Sequence, residues 1–147
     1  MTPAPSDYPR APRVPLHFWP VGLLLLRWNC WGLLGAIAAQ VSLFPEMPEE
    51  AIAYLDRQPL WFMVVSDLSP LAGAAGALAL LVQSRWAPRL FLVQIGILFL
   101  ANVYEMLIGT SPLLTVPEVR LSTAFLVAIL VAQAIYAHRM ARRGLLS

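Results

Sequence analysis

Four long stretches of this chain, about residues 18–41, 60–82, 89–108 and 119–137, are predominantly apolar, and each is long enough to cross a bilayer as a helix. Inside lipid a single segment can satisfy all its backbone groups only by closing them into a helix. The expected fold is therefore all-α, an integral membrane four-helix bundle. Composition points the same way, since 59% of the 147 residues are hydrophobic, 12% are charged and the mean hydropathy is +0.70. A soluble domain does not show that balance. With the spans removed, too little chain remains for a separate soluble domain.

The rest of the chain divides around those spans. Residues 1–17 form an arm with Pro3, Pro5, Pro9, Pro12 and Pro15, which favour extended, irregular backbone. The apolar run beginning near Phe18 is long enough to span, so it reads as a helix of the mature protein and not as a cleavable leader. The membrane domain covers 18–138, and 139–147 is a basic tail carrying Arg139, Arg142 and Arg143. Between spans one and two, Pro48, Glu49 and Glu50 precede Ile52 and Leu55, the pattern of a short interfacial helix with acids in its first turn. Arginines set the orientation. Arg10, Arg13, Arg85, Arg89, Arg139, Arg142 and Arg143 lie on the side of the termini, whereas the opposite loops hold Arg57 and Arg120. Positive-inside logic places both termini in the cytoplasm. The chain has no Lys, and arginines at span ends suit phospholipid headgroups and not nucleic acid.

Helix packing is legible in the small residues. Asn29, Gly32, Gly35, Ala36 and Ala39 share one side of span one, a shallow face expected to look into the bundle. Span two offers Ala72 with Gly76 and Gly73 with Ala77 at small-xxx-small spacing, so spans one and two are expected to pack together. Trp19, Trp61 and Trp86 sit at span ends, where indoles anchor a helix at the headgroups.

Three ionisable residues fall within the spans: Arg27, Asp67 and Glu105. A charge at a helix centre costs about 2.5–3.5 kcal/mol, so each needs a partner or water. Asp67 lies roughly 10 Å and Glu105 roughly 5 Å from the outer ends of their spans, at neighbouring depths. Gln94, Asn102 and Glu105 form a polar stripe on span three, and Ser122 and Gln133 share an inward face of span four. Pro70 frees the carbonyl of Ser66, one turn earlier and next to Asp67. Arg27 points away from the small-residue face, toward Asp67 across the bundle, toward another protein or toward a lipid headgroup. The set Arg27, Asn29, Asp67, Asn102 and Glu105 has three readings. It is a neutralised network that fixes helix register, a membrane site that carries a proton or holds a polar ligand, or, through Arg27, a docking point for a partner.

Other chemistry has little support. Cys30 is the only cysteine, His17 and His138 lack any further haem-binding feature, and there is no phosphate loop, metal-ligand cluster or catalytic triad. No cofactor, no metal and no enzymatic activity of familiar type are expected. The partners expected are the phospholipid bilayer and either a second copy or other membrane subunits.

The stretch from Leu16 to Gln40, with Phe18, Trp19, Trp28, Asn29 and Gly32, resembles a family of small four-span bacterial proteins often labelled "sugar transporter". The similarity continues through Pro48 to Leu55, through Pro59, Leu60 and Trp61, and through Val103 and Tyr104, and so covers most of the chain beyond the arm. Arg27 and Glu105 are not part of that pattern. More distantly, a first span, an interfacial helix and an acid early in a glycine-rich second span are similar to the DoxX-like layout. The resemblance implies four spans in a bacterial cytoplasmic (inner) membrane. It says more about fold than activity. The function expected is that of an accessory or structural component, with small-solute transport through intramembrane carboxylates, proton-coupled or not, as the alternative. Reporter fusions after Arg85 and after Ser147 are expected to read as cytoplasmic, and fusions near Glu50 and Thr115 as periplasmic. A cytoplasmic signal at Glu50 would contradict the four-span reading.

Overall fold

The computed structural model describes residues 14–40, 49–108 and 117–146. Residues 1–13, residues 41–48 with Pro45 and Pro48, residues 109–116 with Pro112, and Ser147 lie outside the described residues, as do the side chains of Ala39, Glu50, Ala51, Tyr54, Leu55, Pro117, Glu118 and Val119. Among the described residues five helices follow in order: α1 (Phe18–Gln40), α2 (Glu49–Arg57), α3 (Leu60–Leu81), α4 (Ala87–Leu107) and α5 (Pro117–Arg142). There is no strand among the described residues. Helices α1, α3, α4 and α5 are each long and apolar enough to cross a membrane.

Local chemistry explains where these helices begin and end. Pro59, in extended conformation, caps α3 by accepting the Phe62 and Met63 amides on its carbonyl at 2.9 and 3.2 Å. Helix α4 starts at Ala87, before the expected position 89, because Pro88 fits a first turn whose N–H groups have no helical partner anyway. Helix α5 runs past the expected end at 137 and takes Arg139 and Arg142 into its last turns. Two helices close with a Schellman turn. At the end of α3, Gln83 N–H reaches Leu80 O at 2.9 Å and Ser84 N–H reaches Ala79 O at 2.7 Å. At the end of α5, Gly144 N–H reaches Ala141 O at 3.0 Å and Leu145 N–H reaches Met140 O at 3.2 Å. Both turns need a left-handed residue. Gly144 supplies it at φ 70°, but Gln83 adopts it at φ 58° with a Cβ to accommodate.

The bundle is built from consecutive antiparallel neighbours, α1 on α3, α3 on α4 and α4 on α5. Gly22 meets Leu81 and Gly32 meets Pro70, which sets the register of α1 against α3; Gly76 lets Phe91 and Leu90 of α4 approach α3. The small-residue face of α1 is only partly covered by the described residues. Among the described residues a Cβ at Gly35 would meet nothing within 4 Å, so the described contacts of this face lie nearer the start of α1. Helix α5 returns to α1 through a side-chain bond from Asn29 to Gln133 and an edge contact between the His17 and Tyr136 rings.

Apolar packing is uneven along the bundle. At the end where α1 begins, Phe18, Leu80, Phe91, Ala137 and Met140 form a fully enclosed core. The turn after α5 folds Leu145 and Leu146 back onto it. At the opposite end the described packing is aromatic, with Tyr104 of α4 lying 5.0 Å from the rings of both Trp61 and Phe62. Gln83→Gly should stabilise the protein by about 1 kcal/mol, by relieving the left-handed strain. Gly144→Ala should destabilise it by a similar amount and loosen Leu145 and Leu146. Thermal unfolding in detergent checks both, and a lower midpoint for Gln83→Gly would contradict the cap assignment.

Candidate functional site

Three buried amides meet between α1, α4 and α5. Gln94 of α4 donates from Nε2 to Asn29 Oδ1 at 2.7 Å, Asn29 of α1 donates from Nδ2 to Gln133 Oε1 at 3.1 Å, and Gln133 of α5 donates from Nε2 to Gln94 Oε1 at 2.5 Å. Each amide donates once and accepts once, so the ring closes on itself. Asn29 Nδ2 also donates to Leu25 O at 2.8 Å. That bond fixes the sense of the ring, because a flipped Asn29 would set oxygen against oxygen.

Helix α3 completes the arrangement by what it lacks. A Cβ at Gly73 would collide with Asn29 Oδ1 and the Gln94 amide, so glycine is what admits the ring. Ser69, one turn away, donates from Oγ to the Gln94 backbone carbonyl at 3.2 Å and ties α3 to α4. All four long helices thus meet at one polar point. Asn29, Gln94 and Gln133 are 2–4% exposed, and burial of that degree would be unfavourable by about 1–3 kcal/mol for each unpaired group.

Above the ring, away from the apolar core, two neighbouring cavities lie among the described residues. One, of about 190 Å³, is lined by Asn29, Gln94, Ser66, Pro70 and Leu126 among others. The other, of about 240 Å³, adds Asn102, Glu105 and Thr123 and shares Ser66, Ser69, Leu98 and Leu126 with the first. Ser66 lines both. Its buried hydroxyl has no hydrogen-bond partner among the described residues, and Pro70 inside α3 removes the N–H that its carbonyl would otherwise accept. Asn102 turns its own amide back to Leu98 O at 2.8 Å.

The charged residues are placed apart. Asp67 is half-buried and accepts from Gln40 Nε2 on Oδ2 at 2.7 Å, a bond between the last residue of α1 and the second turn of α3. Arg27 does not reach Asp67. The register that sets Gly32 against Pro70 puts Asp67 roughly 12 Å further along the axis, and Arg27 is on the outer side of α1. There it shares a groove of about 300 Å³ with Leu24, Trp28 and Trp31, and among the described residues it makes no hydrogen bond or ion pair. Glu105 lines the second cavity, which Asp67 does not. A single network of Arg27, Asp67 and Glu105 therefore does not form.

The elements that do converge, Asn29, Gln94 and Gln133, were visible in the sequence one at a time, each on an inward face, but their meeting was missed. The signal was depth. Measured from the termini end of the bundle, Asn29, Gly73, Gln94 and Gln133 all lie roughly 10–17 Å along their helices. Gln40, Ser66 and Ser69 were likewise not singled out as site residues. Among the described residues no group of His, Cys, Asp and Glu could hold a metal ion.

Four candidate spans around a buried polar centre point to a multi-pass membrane protein as the class. No family model, curated protein or solved structure matches the chain, so the likeness to four-span bacterial proteins rests on the residues quoted above. The ring makes a sharp prediction. Asn29→Leu should destabilise the protein by about 1–2 kcal/mol, since it leaves Gln94 and Gln133 each with an unmet group. Adding Gln94→Leu and Gln133→Leu should give a triple variant less destabilised than the three single effects added together. Unfolding midpoints in one detergent decide it, and simple additivity would mean the amides do not act as a unit.

Proposed function

We propose that this chain is a small integral protein of the bacterial cytoplasmic membrane, with both termini cytoplasmic and α2 lying at the opposite interface. We propose further that it acts by association, as an accessory or structural component, and not as a conduit. Membership of the four-span family resembled by Leu16 to Gln40 and Pro48 to Leu55 belongs to the same proposal. The observation that carries the functional reading is the closed amide ring with the enclosed apolar core beneath it. A polar solute entering the cavities would meet a floor whose bonding groups are already paired with one another, and beneath that floor a mainly apolar core with the buried Tyr136 hydroxyl at its side. Passage would require breaking the contact that joins all four helices.

One observation favours the alternative of small-solute transport. The outer cavities are lined by Glu105, Asn102, Thr123 and the unpartnered Ser66 hydroxyl, a polar surface that packing alone does not require. The two readings separate in a reconstituted system. The accessory reading predicts that purified protein in liposomes moves no solute above a protein-free control. It also predicts that mild-detergent extraction from native membranes brings down a second copy or another membrane subunit in fixed proportion. Solute uptake by the wild type alone, lost in Glu105→Gln and unaccompanied by any partner, would contradict it.

A further inference from the structure

We propose that the groove on α1 formed by Leu24, Arg27, Trp28 and Trp31 is a binding site for the phosphate of a phospholipid in the leaflet where α1 begins. The inference rests on the membrane placement proposed above but not on the accessory reading.

An arginine facing outward from a membrane helix must have an anion or water, because its charge is costly in hydrocarbon. Arg27 lies roughly 13 Å from the start of α1. Side chains on a helix lean toward its N-terminus, so the long stem of Arg27 leads its guanidinium back toward that membrane face by about one turn. It ends roughly 8 Å from that face, within the roughly 15 Å of its leaflet, at a depth that a headgroup phosphate reaches through the local bilayer thinning that a charged side chain induces. Trp28 and Trp31 flank it on the same groove, half-exposed and exposed, with indole N–H groups suited to the boundary between hydrocarbon and headgroups.

The chain itself cannot supply the anion from its described spans. Asp67 lies roughly 21 Å and Glu105 roughly 27 Å from the same face, well beyond Arg27. A second copy inserted in the same direction repeats those depths, so self-association does not bring a carboxylate to Arg27 either. The headgroup phosphates of the near leaflet are the anions on that side of the membrane, and guanidinium binds phosphate through paired, charge-assisted hydrogen bonds. The groove, of about 300 Å³, holds a headgroup and the first part of an acyl chain against Leu24.

The test uses full-length protein in nanodiscs of phosphatidylethanolamine and phosphatidylglycerol, transferred to mild detergent and analysed by native mass spectrometry. Wild type should retain a phospholipid, Arg27→Lys should retain it more weakly, and Arg27→Leu should lower occupancy by about tenfold or more, the loss expected for charge-assisted bonds. Equal occupancy in wild type and Arg27→Leu would overturn the proposal. A photoreactive phospholipid, labelled in the headgroup, gives a readout independent of any variant. Its crosslinks should fall within residues 23–31, and a diacylglycerol carrying the same label but no phosphate should not crosslink there. Crosslinks spread along the bundle, equal labelling by the diacylglycerol, or capture of a partner protein's carboxylate-bearing helix at Arg27 would each overturn it. Release of the protein from membranes by salt or carbonate without detergent would instead remove the membrane placement beneath it.

Discussion

An amide taken out of water must find partners, and at the centre of this bundle Asn29, Gln94 and Gln133 find them in one another. The requirement is demanding because it links three helices at once and needs the fourth to stay out of the way. Gly73 does that by omission, and Ser69 adds a tie to the α4 backbone. Helix register elsewhere follows. Once Asn29 faces Gly73, Gly22 falls against Leu81 and Gly32 against Pro70. Apolar packing between helices of this composition is permissive, since many rotations bury similar side chains. A polar ring with fixed donors and acceptors accepts far fewer.

The ring also divides the molecule into unlike halves. Toward the termini the side chains are enclosed and apolar, and the turn after α5 adds Leu145 and Leu146 to that core. Away from the termini the interior is looser, with cavities edged by Ser66, Asn102 and Glu105. Charges are kept from the centre altogether: Asp67 is held by Gln40 near one end, and Arg27 is turned outward.

Much of the fold could be read from the sequence because lipid leaves few options for an apolar run of this length. The helices begin and end near the expected residues, and the departures have local causes. Helix α4 begins two residues before the expected position 89, with Pro88 in its first turn, and the arginine-bearing tail continues α5 as helix to Arg142. The site was less legible. Attention to Arg27, Asp67 and Glu105 followed from their charge, yet charge dictates only that each residue find some partner, not that they find each other. Neutral amides carry weaker individual signals, and their meeting depends on relative helix rotation, which periodicity in one helix does not determine. Common depth on separate inward faces was the available clue.

The claim that most of this account depends on is that the amide ring is closed and dry. Side-chain amide hydrogen exchange, followed by NMR on the protein in detergent micelles, addresses it directly, with the Gln83 side chain in the turn after α3 as an internal reference. The account predicts that the protons of Asn29, Gln94 and Gln133 that lie within the ring exchange much more slowly than those of Gln83. Exchange at the ring as fast as at Gln83 would show water passing through the centre of the bundle and would contradict the account.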